Sequence, residues 1–396
     1  MIERPLSPAR RNCLALFDAA VAAVLPARFL PPVLPEPPPE GRLIIMAAGK
    51  AAGSMAAAAE AHYLARGFPR ARLEGLSVAR HGYGCALTVI EQLESGHPVP
   101  DQASVEGAER LLRLGDGAGP DDLVVFLLSG GASANIVAPA GQITLEEKQA
   151  FTKAMLRSGA PIGAMNTMRK HLSRIKGGRL ARHIAPARLV TIALSDVPND
   201  DLSTIGSGPT LPDETTLAEA RATLAQYRIE APASIRAALD DPANESVKPD
   251  DPVFARAESL IAARPADAFV AAVAEAERQG YRVVDLGRDL QGEARDVAAE
   301  HAALRARPVR LVIAARQQVR QFSDRPIRLD RRIGQRPDFL GIQQRRRQHP
   351  RRRLRCQVGA REQLEFAPAG AVIDASVAAM PQLRGQAGDQ RAMQCR

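Results

Sequence analysis

The sequence predicts an α/β protein in which helices cover both faces of a mostly parallel sheet. Three short runs are apolar or nearly so, as strands buried on both faces usually are: 43–46, 123–128 and 189–194. Segments with a helical spacing of apolar residues alternate with these runs, and the loops between them are short. That alternation favours parallel strands joined by helical crossovers rather than hairpins.

Each element has a local signal in the sequence. Apolar residues recur at spacings of three and four along 10–25, which predicts a first helix, and the proline-rich segment 26–40 cannot be helical. Thr144 followed by Glu147 is a capping box that begins another helix. The remaining predictions are strands at 76–79 and 281–286, an exposed loop at 240–252, an alanine-rich helix up to Ala65, and helices at 104–114, 213–227, 231–239, 271–280 and 292–306.

The composition is that of a folded protein without a membrane span. Of the 396 residues, 45% are hydrophobic, which is too many for a disordered chain. No run of 18 apolar residues occurs, and the first residues lack the apolar core of a signal peptide, so we expect a cytoplasmic protein. The four cysteines are scattered and have neither the spacing of a metal site nor that of a disulfide framework.

The positive charge is concentrated in the last part of the chain. Residues 308–396 contain 19 arginines, no lysine and 7 acidic residues, which gives a net charge of +12. The preceding 307 residues carry 34 basic and 37 acidic residues, which gives −3. A basic chain suggests nucleic acid, but only 4% of the residues are aromatic and few can stack on bases. We therefore expect neither nucleic acid nor a membrane as a partner.

Residues 159–210 combine a basic segment with an acidic loop. Five cations among apolar residues predict a helix with one packed face and one cationic face: Arg169, Lys170, Arg174, Lys176 and Arg179. The strand 189–194 is followed by small and polar residues: Ser195, Asp196, Asn199, Asp200 and Asp201. Ligands of open α/β sheets bind beyond the carboxyl ends of the strands, so this pattern predicts a phosphate and metal site. The alternative is a solvated helix followed by a capped loop.

Two turns of small residues follow predicted strands. One contains Lys50 and leads into a helix, a geometry that presents backbone N–H groups to an anion. The other begins with Ser129, Gly130 and Gly131 and can cradle a phosphate. His97 lies in a rigid loop between them, where its imidazole can serve a ligand or the backbone equally well.

Five segments in this order resemble the type II glycerate kinases, which carry a C-terminal MOFRL domain. They are MAAGKAAGSMA, SGHPVPD, LSGGASA, the segment 166–178 and the highly specific SDVPNDDLSTIGSGPT. The resemblance covers about residues 8–307 and implies a Rossmann-like αβα sandwich, a smaller C-terminal α/β domain and an active site between them. It also implies transfer of the ATP γ-phosphate to D-glycerate, usually at the 2-hydroxyl, with Mg²⁺. Some members belong to tartrate degradation and carry the older name hydroxypyruvate reductase.

The resemblance also implies roles for individual residues. Lys50 is the reactive lysine, Asp196 or Asp200 accepts the proton of the glycerate hydroxyl, and Asp196 is a metal ligand. Substrate or phosphate binding is implied for Ser129, Gly130, Gly131, Ser133, His97, Asn166, Arg169, Lys170 and Asn199. These residue types suit phosphoryl transfer, which needs positioning and the neutralisation of negative charge. The residues do not decide which of the two carboxylates is the base.

The resemblance ends near Pro308. The second Ser-Gly-Gly turn of the family and its Arg-Asn-Gln-Glu run are missing, and 13 of the 20 glutamines fall in residues 308–396. We interpret this Arg- and Gln-rich tail as out-of-frame sequence from a GC-rich gene, which leaves the C-terminal domain incomplete or absent and the chain inactive or nearly so. The alternative is an evolved arm that binds RNA.

The older family name supplies a second hypothesis, an NAD(P)H-dependent hydroxypyruvate reductase. Such an enzyme needs a GxGxxG turn and an acidic residue about 20 positions further on. The turn here reads AAGKAAG and lacks the first glycine, although Glu74 lies near the expected position of the acid. We therefore prefer the kinase, with ATP and Mg²⁺ as cofactors and glycerate as substrate, and we leave open whether the chain forms a homo-oligomer.

Overall fold

A computed structural model of the protein describes residues 7–286, 290, 291, 295–297, 299, 311–318 and 371–375. Its β-strands are β1 (Leu43–Ala48), β2 (Leu73–Arg80), β3 (Glu91–Ser95), β4 (Leu123–Ser129), β5 (Arg188–Leu194), β6 (Ala257–Ala263), β7 (Val283–Asp285), β8 (Leu290–Gln291), β9 (Leu311–Gln318) and β10 (Ala371–Ala375). Its α-helices are α1 (Pro8–Ala23), α2 (Pro26–Phe29), α3 (Ala52–Ala65), α4 (Gln102–Asp116), α5 (Ala132–Asn135), α6 (Leu145–Arg157), α7 (Ile162–His171), α8 (Arg179–Ile184), α9 (Leu217–Gln226), α10 (Ala233–Asp240) and α11 (Pro265–Arg278).

The main sheet has six strands in the order β3-β2-β1-β4-β5-β6, and all its neighbouring pairs are parallel. This is the doubly wound Rossmann order, in which the chain winds outward from the centre in both directions. The predicted fold class is therefore confirmed. The winding reverses between β1 and β4, and ligands of such sheets bind at the carboxyl ends of the strands beside this reversal.

The central strand β1 is buried on both faces, and its alternate residues enter two different cores. Ile44 and Met46 belong to the core that includes α4 and α8. Leu43 and Ile45 belong to the core on the opposite face, which is covered by α3. Burying each such side chain contributes about 1.5–3 kcal/mol, so the strand and the turn that follows it are firmly held.

A layer of helices lies beside the sheet and supplies part of the candidate site. Helices α6, α7, α9 and α10 share a core built around Phe151, Met155, Met168, Leu172 and Ile235. The segments that form this layer leave the main sheet after β4 and after β5. Because α7 belongs to this layer, the layer determines where Asn166 and Arg169 lie.

A second, four-stranded parallel sheet is formed by β10, β9 and β7, with β8 pairing to β9. The first and last described α-helices, α1 and α11, pack together through Leu16, Ala20, Phe269 and Ala272. Strands β9 and β10 coincide with two apolar pieces of the Arg- and Gln-rich tail. Most of residues 308–396, and most of the helix predicted at 292–306, lie outside the described residues. The interpretation of the tail stays a prediction.

The structure differs from the predicted elements in five places. The proline-rich segment 26–40 was predicted not to be helical, but the one-turn helix α2 (Pro26–Phe29) begins it, because proline is tolerated at the first position of a helix. Strands β3 and β6 were not predicted, because both are edge strands with exposed polar residues. Helix α9 begins after Thr216 and not at Asp213, because the Asp213 carboxylate bonds Lys170 and Thr215. The segment 240–252 is not wholly exposed, since it buries Asn244, Ser246 and Val247. The predicted basic helix ends at His171, and three of its five predicted cations are buried, as described below.

Among the described helices, none is by itself long and apolar enough to cross a membrane. The pair Pro8–Ala23 and Pro26–Val33 reaches the required length and hydropathy only together, with a bend of 49° between them.

Candidate active site

Two turns pack against each other at the point where the winding of the sheet reverses. One follows β1 and contains Gly49 and Lys50, and the other follows β4 and begins at Ser129. The Lys50 amide donates to the Gly130 carbonyl at 2.9 Å, and the Ala51 amide donates to Ser129 Oγ at 3.0 Å. Gly49 has a φ of +118°, and a Cβ there would lie 2.4 Å from the Ser129 carbonyl oxygen. Only glycine fits this contact, and the Ser129 hydroxyl is used to join the turns.

The side chains of Lys50 and Asp196 meet above the second turn. Lys50 Nζ lies 2.8 Å from Asp196 Oδ2, and both side chains are partly exposed, at 32% and 26%. A Cβ on Gly130 would lie 1.7 Å from Asp196 Oδ2, so the carboxylate rests directly on the glycine backbone. The structure therefore brings together a cation, a carboxylate and a glycine turn from three different loops.

His97 lies on the other side of this turn. Its imidazole is the nearest group to an added Cβ on Gly131, at 2.9 Å, and Lys50 Cγ is also within reach at 3.1 Å. Burial lowers the pKa of His97, and the neighbouring cations Lys50 and Arg80 lower it further. The ring is therefore neutral near pH 7, where each of its nitrogens can either donate or accept a hydrogen bond but carries no charge.

The acidic loop after β5 holds the two candidate carboxylates in different environments. Asp200 accepts a hydrogen bond from Ser195 Oγ at 2.6 Å and lies 3.3 Å from Arg264 Nε. Asn199 and Asp200 both adopt positive φ values, 59° and 53°, and Asn199 is exposed. Asp196 instead faces Lys50, so its carboxylate is the one at the paired turns. Arg264 was not predicted, because it follows the edge strand β6 that the sequence did not reveal.

A chain of polar side chains continues from the second turn into α7. Ser133 Oγ lies 3.0 Å from Ser207 Oγ, and Ser207 Oγ lies 3.4 Å from Asn166 Oδ1. Arg169 Nη1 donates to the same Asn166 oxygen at 3.2 Å. The structure thus joins Ser133, Asn166 and Arg169 through Ser207. Ser207 was not among the candidate residues, although the unusual run Gly206-Ser207-Gly208 was a signal for it.

The prediction of an exposed cationic face around 170–179 is wrong, because three of its cations are buried. Lys170 Nζ pairs with Asp213 at 2.9 Å, and both side chains are almost inaccessible to solvent. Lys176 donates to the Ile136 carbonyl at 2.8 Å, and Arg179 donates to backbone carbonyls. The Lys176 bond ties the segment after α7 to the end of α5. The role of Lys170 in phosphate binding stays a prediction, and its present partner favours a structural role.

Lys148, which the sequence did not single out, is buried in the same region. Its ammonium donates to the Leu172 carbonyl at the end of α7, at 2.8 Å. Burial lowers the pKa of Lys148 to about 7, with a further contribution from Arg169. Burial also lowers the pKa of Lys176 and of Arg169. This side of the site therefore has an excess of buried positive charge.

The described residues contain no cluster of three or more His, Cys, Asp or Glu side chains able to hold a metal ion. Mg²⁺ seldom needs such a cluster, because it binds through one or two carboxylates together with the phosphates of its substrate. Asp196 supplies one carboxylate beside a phosphate-type turn. The residues present therefore fit Mg²⁺ carried by a nucleotide.

The strand order and the polar groups gathered where the winding reverses define a doubly wound α/β protein with its site in the ligand crevice of that class. A family model described as Domain of unknown function (DUF4147) matches residues 12–240. The chain belongs to this family, and its relatives at 33–39% identity include glycerate kinases. The resemblance to glycerate kinases is thereby confirmed.

Individual relatives cover different shares of the chain. A protein of Agrobacterium vitis that carries a hydroxypyruvate reductase name is 46% identical over 309 residues, which are 78% of this chain and 68% of that protein. The D-glycerate 2-kinase of Thermotoga maritima is 39% identical over 231 residues, 58% of this chain and 54% of its own length. A crystal structure of glycerate kinase from the same organism matches with a TM-score of 0.63 at 33% identity, covering 76% of this chain and 71% of that one. The chain thus spans only about half to two thirds of the length of these curated relatives.

Proposed function

We propose that the site is built for ATP-dependent phosphorylation of D-glycerate at its 2-hydroxyl, with Mg²⁺. The observation that carries the proposal is the Lys50–Asp196 pair, 2.8 Å apart and resting on the Gly130–Gly131 turn. Phosphoryl transfer needs a cation and backbone N–H groups for the transferred phosphate and a carboxylate for the metal or the proton. The kinases among the relatives support the substrate, and the place in glycerate, hydroxypyruvate or tartrate catabolism is part of the proposal.

Each residue at the paired turns has a proposed task. Lys50 neutralises charge on the γ-phosphate, and the backbone of Gly130 and Gly131 lines the phosphate position. Asp196 holds Mg²⁺ or takes the proton of the 2-hydroxyl as that oxygen forms its bond to phosphorus and the bond to ADP breaks. Neutral His97 hydrogen-bonds the substrate. Asp200 is the less favoured base, because Ser195 and Arg264 already bond its carboxylate.

The reductase hypothesis is weakened by the position of Glu74. Its partner in the sheet register is Ile44, near the amino end of β2, and its carboxylate bonds Arg42 at 2.8 Å. The carboxyl end of β2 is Arg80, roughly 20 Å away at 3.3 Å per residue. An acid that binds the adenine ribose of NAD must lie at the carboxyl end. Glu74 therefore cannot take that role.

The Arg- and Gln-rich tail qualifies the proposal for this particular chain. The match to the Agrobacterium vitis protein leaves about a third of that protein's length uncovered, since its 309 residues are 68% of it. We propose that full turnover requires the part of the relatives that lies beyond this match. Location in the cytoplasm, the absence of nucleic-acid or membrane partners, and a homo-oligomeric state also stay proposals.

The test uses a chimaera in which residues 1–307 are joined to the C-terminal part of the Thermotoga maritima D-glycerate 2-kinase. One cuvette contains glycerate, ATP and Mg²⁺, and the other contains hydroxypyruvate and NADPH. We expect ADP only in the first cuvette and only when glycerate is present. Oxidation of NADPH without ADP formation would overturn the kinase and restore the reductase.

A further inference from the structure

Ser207 is a buried residue held in a backbone conformation that disfavours it. It has a φ of 63° and lies between Gly206 and Gly208, whose φ values are 62° and 59°. The residue is fully buried. Glycine adopts positive φ at no cost, whereas any side chain with a Cβ is strained there. A serine in this strained conformation indicates a use for its hydroxyl.

The direction of the hydrogen bonds around Ser207 follows from the chemistry of Arg169. A guanidinium only donates, so the Asn166 atom bonded to Arg169 Nη1 at 3.2 Å is the oxygen of the amide. That oxygen only accepts, so Ser207 Oγ must donate its proton to it. Ser207 has no second proton, and the bond to Ser133 at 3.0 Å is therefore donated by Ser133. One chain of bonds thus fixes the protons from Ser133 to Asn166.

The direction of these hydrogen bonds decides which atoms Ser133 and Asn166 offer to a ligand. The proton of Ser133 is committed to Ser207, so its oxygen presents lone pairs, which suit a cation. The amide oxygen of Asn166 accepts hydrogen bonds from two donors, Arg169 and Ser207. The amide nitrogen of Asn166 has no hydrogen-bond partner among the described residues. That nitrogen offers N–H groups, which suit an anion. Ser133 also lies in α5, immediately after the Gly130–Gly131 turn.

We propose that Ser207 is a positioning residue that orients the Ser133 hydroxyl as a cation acceptor and the Asn166 amide as an anion donor for one metal–nucleotide ligand. The proposal rests on the proposed function, since it takes the phosphate turn to bind Mg²⁺ and ATP. It assigns Ser133 to the cation and Asn166 to a phosphate oxygen. Ser207 itself touches neither.

The test measures thermal unfolding and Mg·ATP affinity of the full chain. Ser207→Gly and Ser207→Ala both remove the hydroxyl, so each should lose about tenfold in Mg·ATP affinity, as for one buried hydrogen bond. Only Ser207→Gly also relieves the strained φ, so its midpoint of unfolding without ligand should be higher than that of Ser207→Ala. A residue that only stabilised the fold would lower affinity in step with the midpoint, so equal losses of affinity in two variants of different stability identify a positioning residue.

Two further variants complete the experiment. Arg228→Gly relieves a similar strain, at a φ of 48° on an exposed residue outside the site, and should raise the midpoint without changing affinity. In a Ser133→Ala background, Ser207→Gly should cost much less affinity than it does alone, because the two hydroxyls act as one unit. Full additivity of the two losses would overturn the proposal.

Three other results would each contradict a part of the proposal. Wild-type affinity in Ser207→Gly would remove any role for the hydroxyl, and a midpoint in that variant no higher than in Ser207→Ala would contradict the strain. A wild-type chain that does not bind Mg·ATP would overturn the assignment of Ser133 and Asn166. None of these measurements uses glycerate. They therefore test the Ser207 proposal independently of whether the chimaera phosphorylates glycerate.

Discussion

Lys50 provides the sharpest test of the site, because its removal should separate stability from activity. Lys50→Met keeps most of the length of the side chain and removes the ammonium that lies 2.8 Å from Asp196 Oδ2. The two side chains are 32% and 26% exposed, so their ion pair is screened by solvent. An ion pair of this kind contributes about 0–1 kcal/mol to stability. We therefore expect the free energy of unfolding to change by no more than this.

The expected effect on turnover is much larger. In the proposed reaction the ammonium of Lys50 faces charge that develops on the transferred phosphate, and losing one such contact costs roughly 2–4 kcal/mol. At about 1.36 kcal/mol for each factor of ten, the rate should fall by about 30-fold to 900-fold. Because the lost contact belongs to the transition state, the decrease should appear in kcat more than in KM.

The assay is ADP release in the chimaera, with unfolding followed by circular dichroism. Arg188→Met is the matched control, since it removes a surface ion pair with Glu258 at the amino end of β5, on the opposite edge of the same sheet. The control should change neither turnover nor stability by much. Near-normal turnover in folded Lys50→Met would refute the proposed role and make Lys50 structural.

Two further predictions concern the buried lysine and the tail. The pKa of Lys148 is about 7 in the folded state, against an ordinary value of 10.5. Between these two pH values the unfolded chain holds more protons than the folded one. The free energy of unfolding should therefore rise with pH across this window, by up to about 1.4 kcal/mol per pH unit. Lys148→Met should flatten the rise of the unfolding midpoint between pH 7 and about pH 9, and an unchanged pH slope would contradict the lowered pKa. Limited proteolysis should cut the tail rapidly beyond β9, within residues 345–355, because seven arginines there favour hydration over packing. A tail as resistant as the core would show that it forms a folded domain.

The sequence predicted the centre of the fold better than its edges. Runs such as 123–128 are apolar throughout because a central parallel strand is buried on both faces, and this signal is local. Strand β3 reads EQLES and β6 reads AESLIAA, since one side of each edge strand is open to solvent. Their place is decided by pairing with β2 and β5, which no signal within the two edge strands themselves reveals.

The residues of the candidate site also divide into those that the sequence revealed and those that it did not. Lys50, Ser129 and Asp196 could be chosen because turns and polar loops directly follow recognisable strands. The buried cations could not be placed, because the spacing of Lys170 and Lys176 fits a solvated helix face equally well. Their partners Asp213 and the Ile136 carbonyl are 43 and 40 residues away. Only the tertiary structure shows that Lys170 and Lys176 bond groups inside the protein.

The most direct test of the proposed function is the ³¹P NMR spectrum of the product that the chimaera makes from D-glycerate, ATP and Mg²⁺. A phosphate on the 2-hydroxyl couples to a single proton and gives a doublet, whereas a phosphate on the 3-hydroxyl couples to two and gives a triplet. We predict a new doublet that grows at the rate of ADP release and is absent without glycerate. A triplet would contradict the proposed position of phosphorylation, and ADP without any new phosphate ester would contradict glycerate as the acceptor.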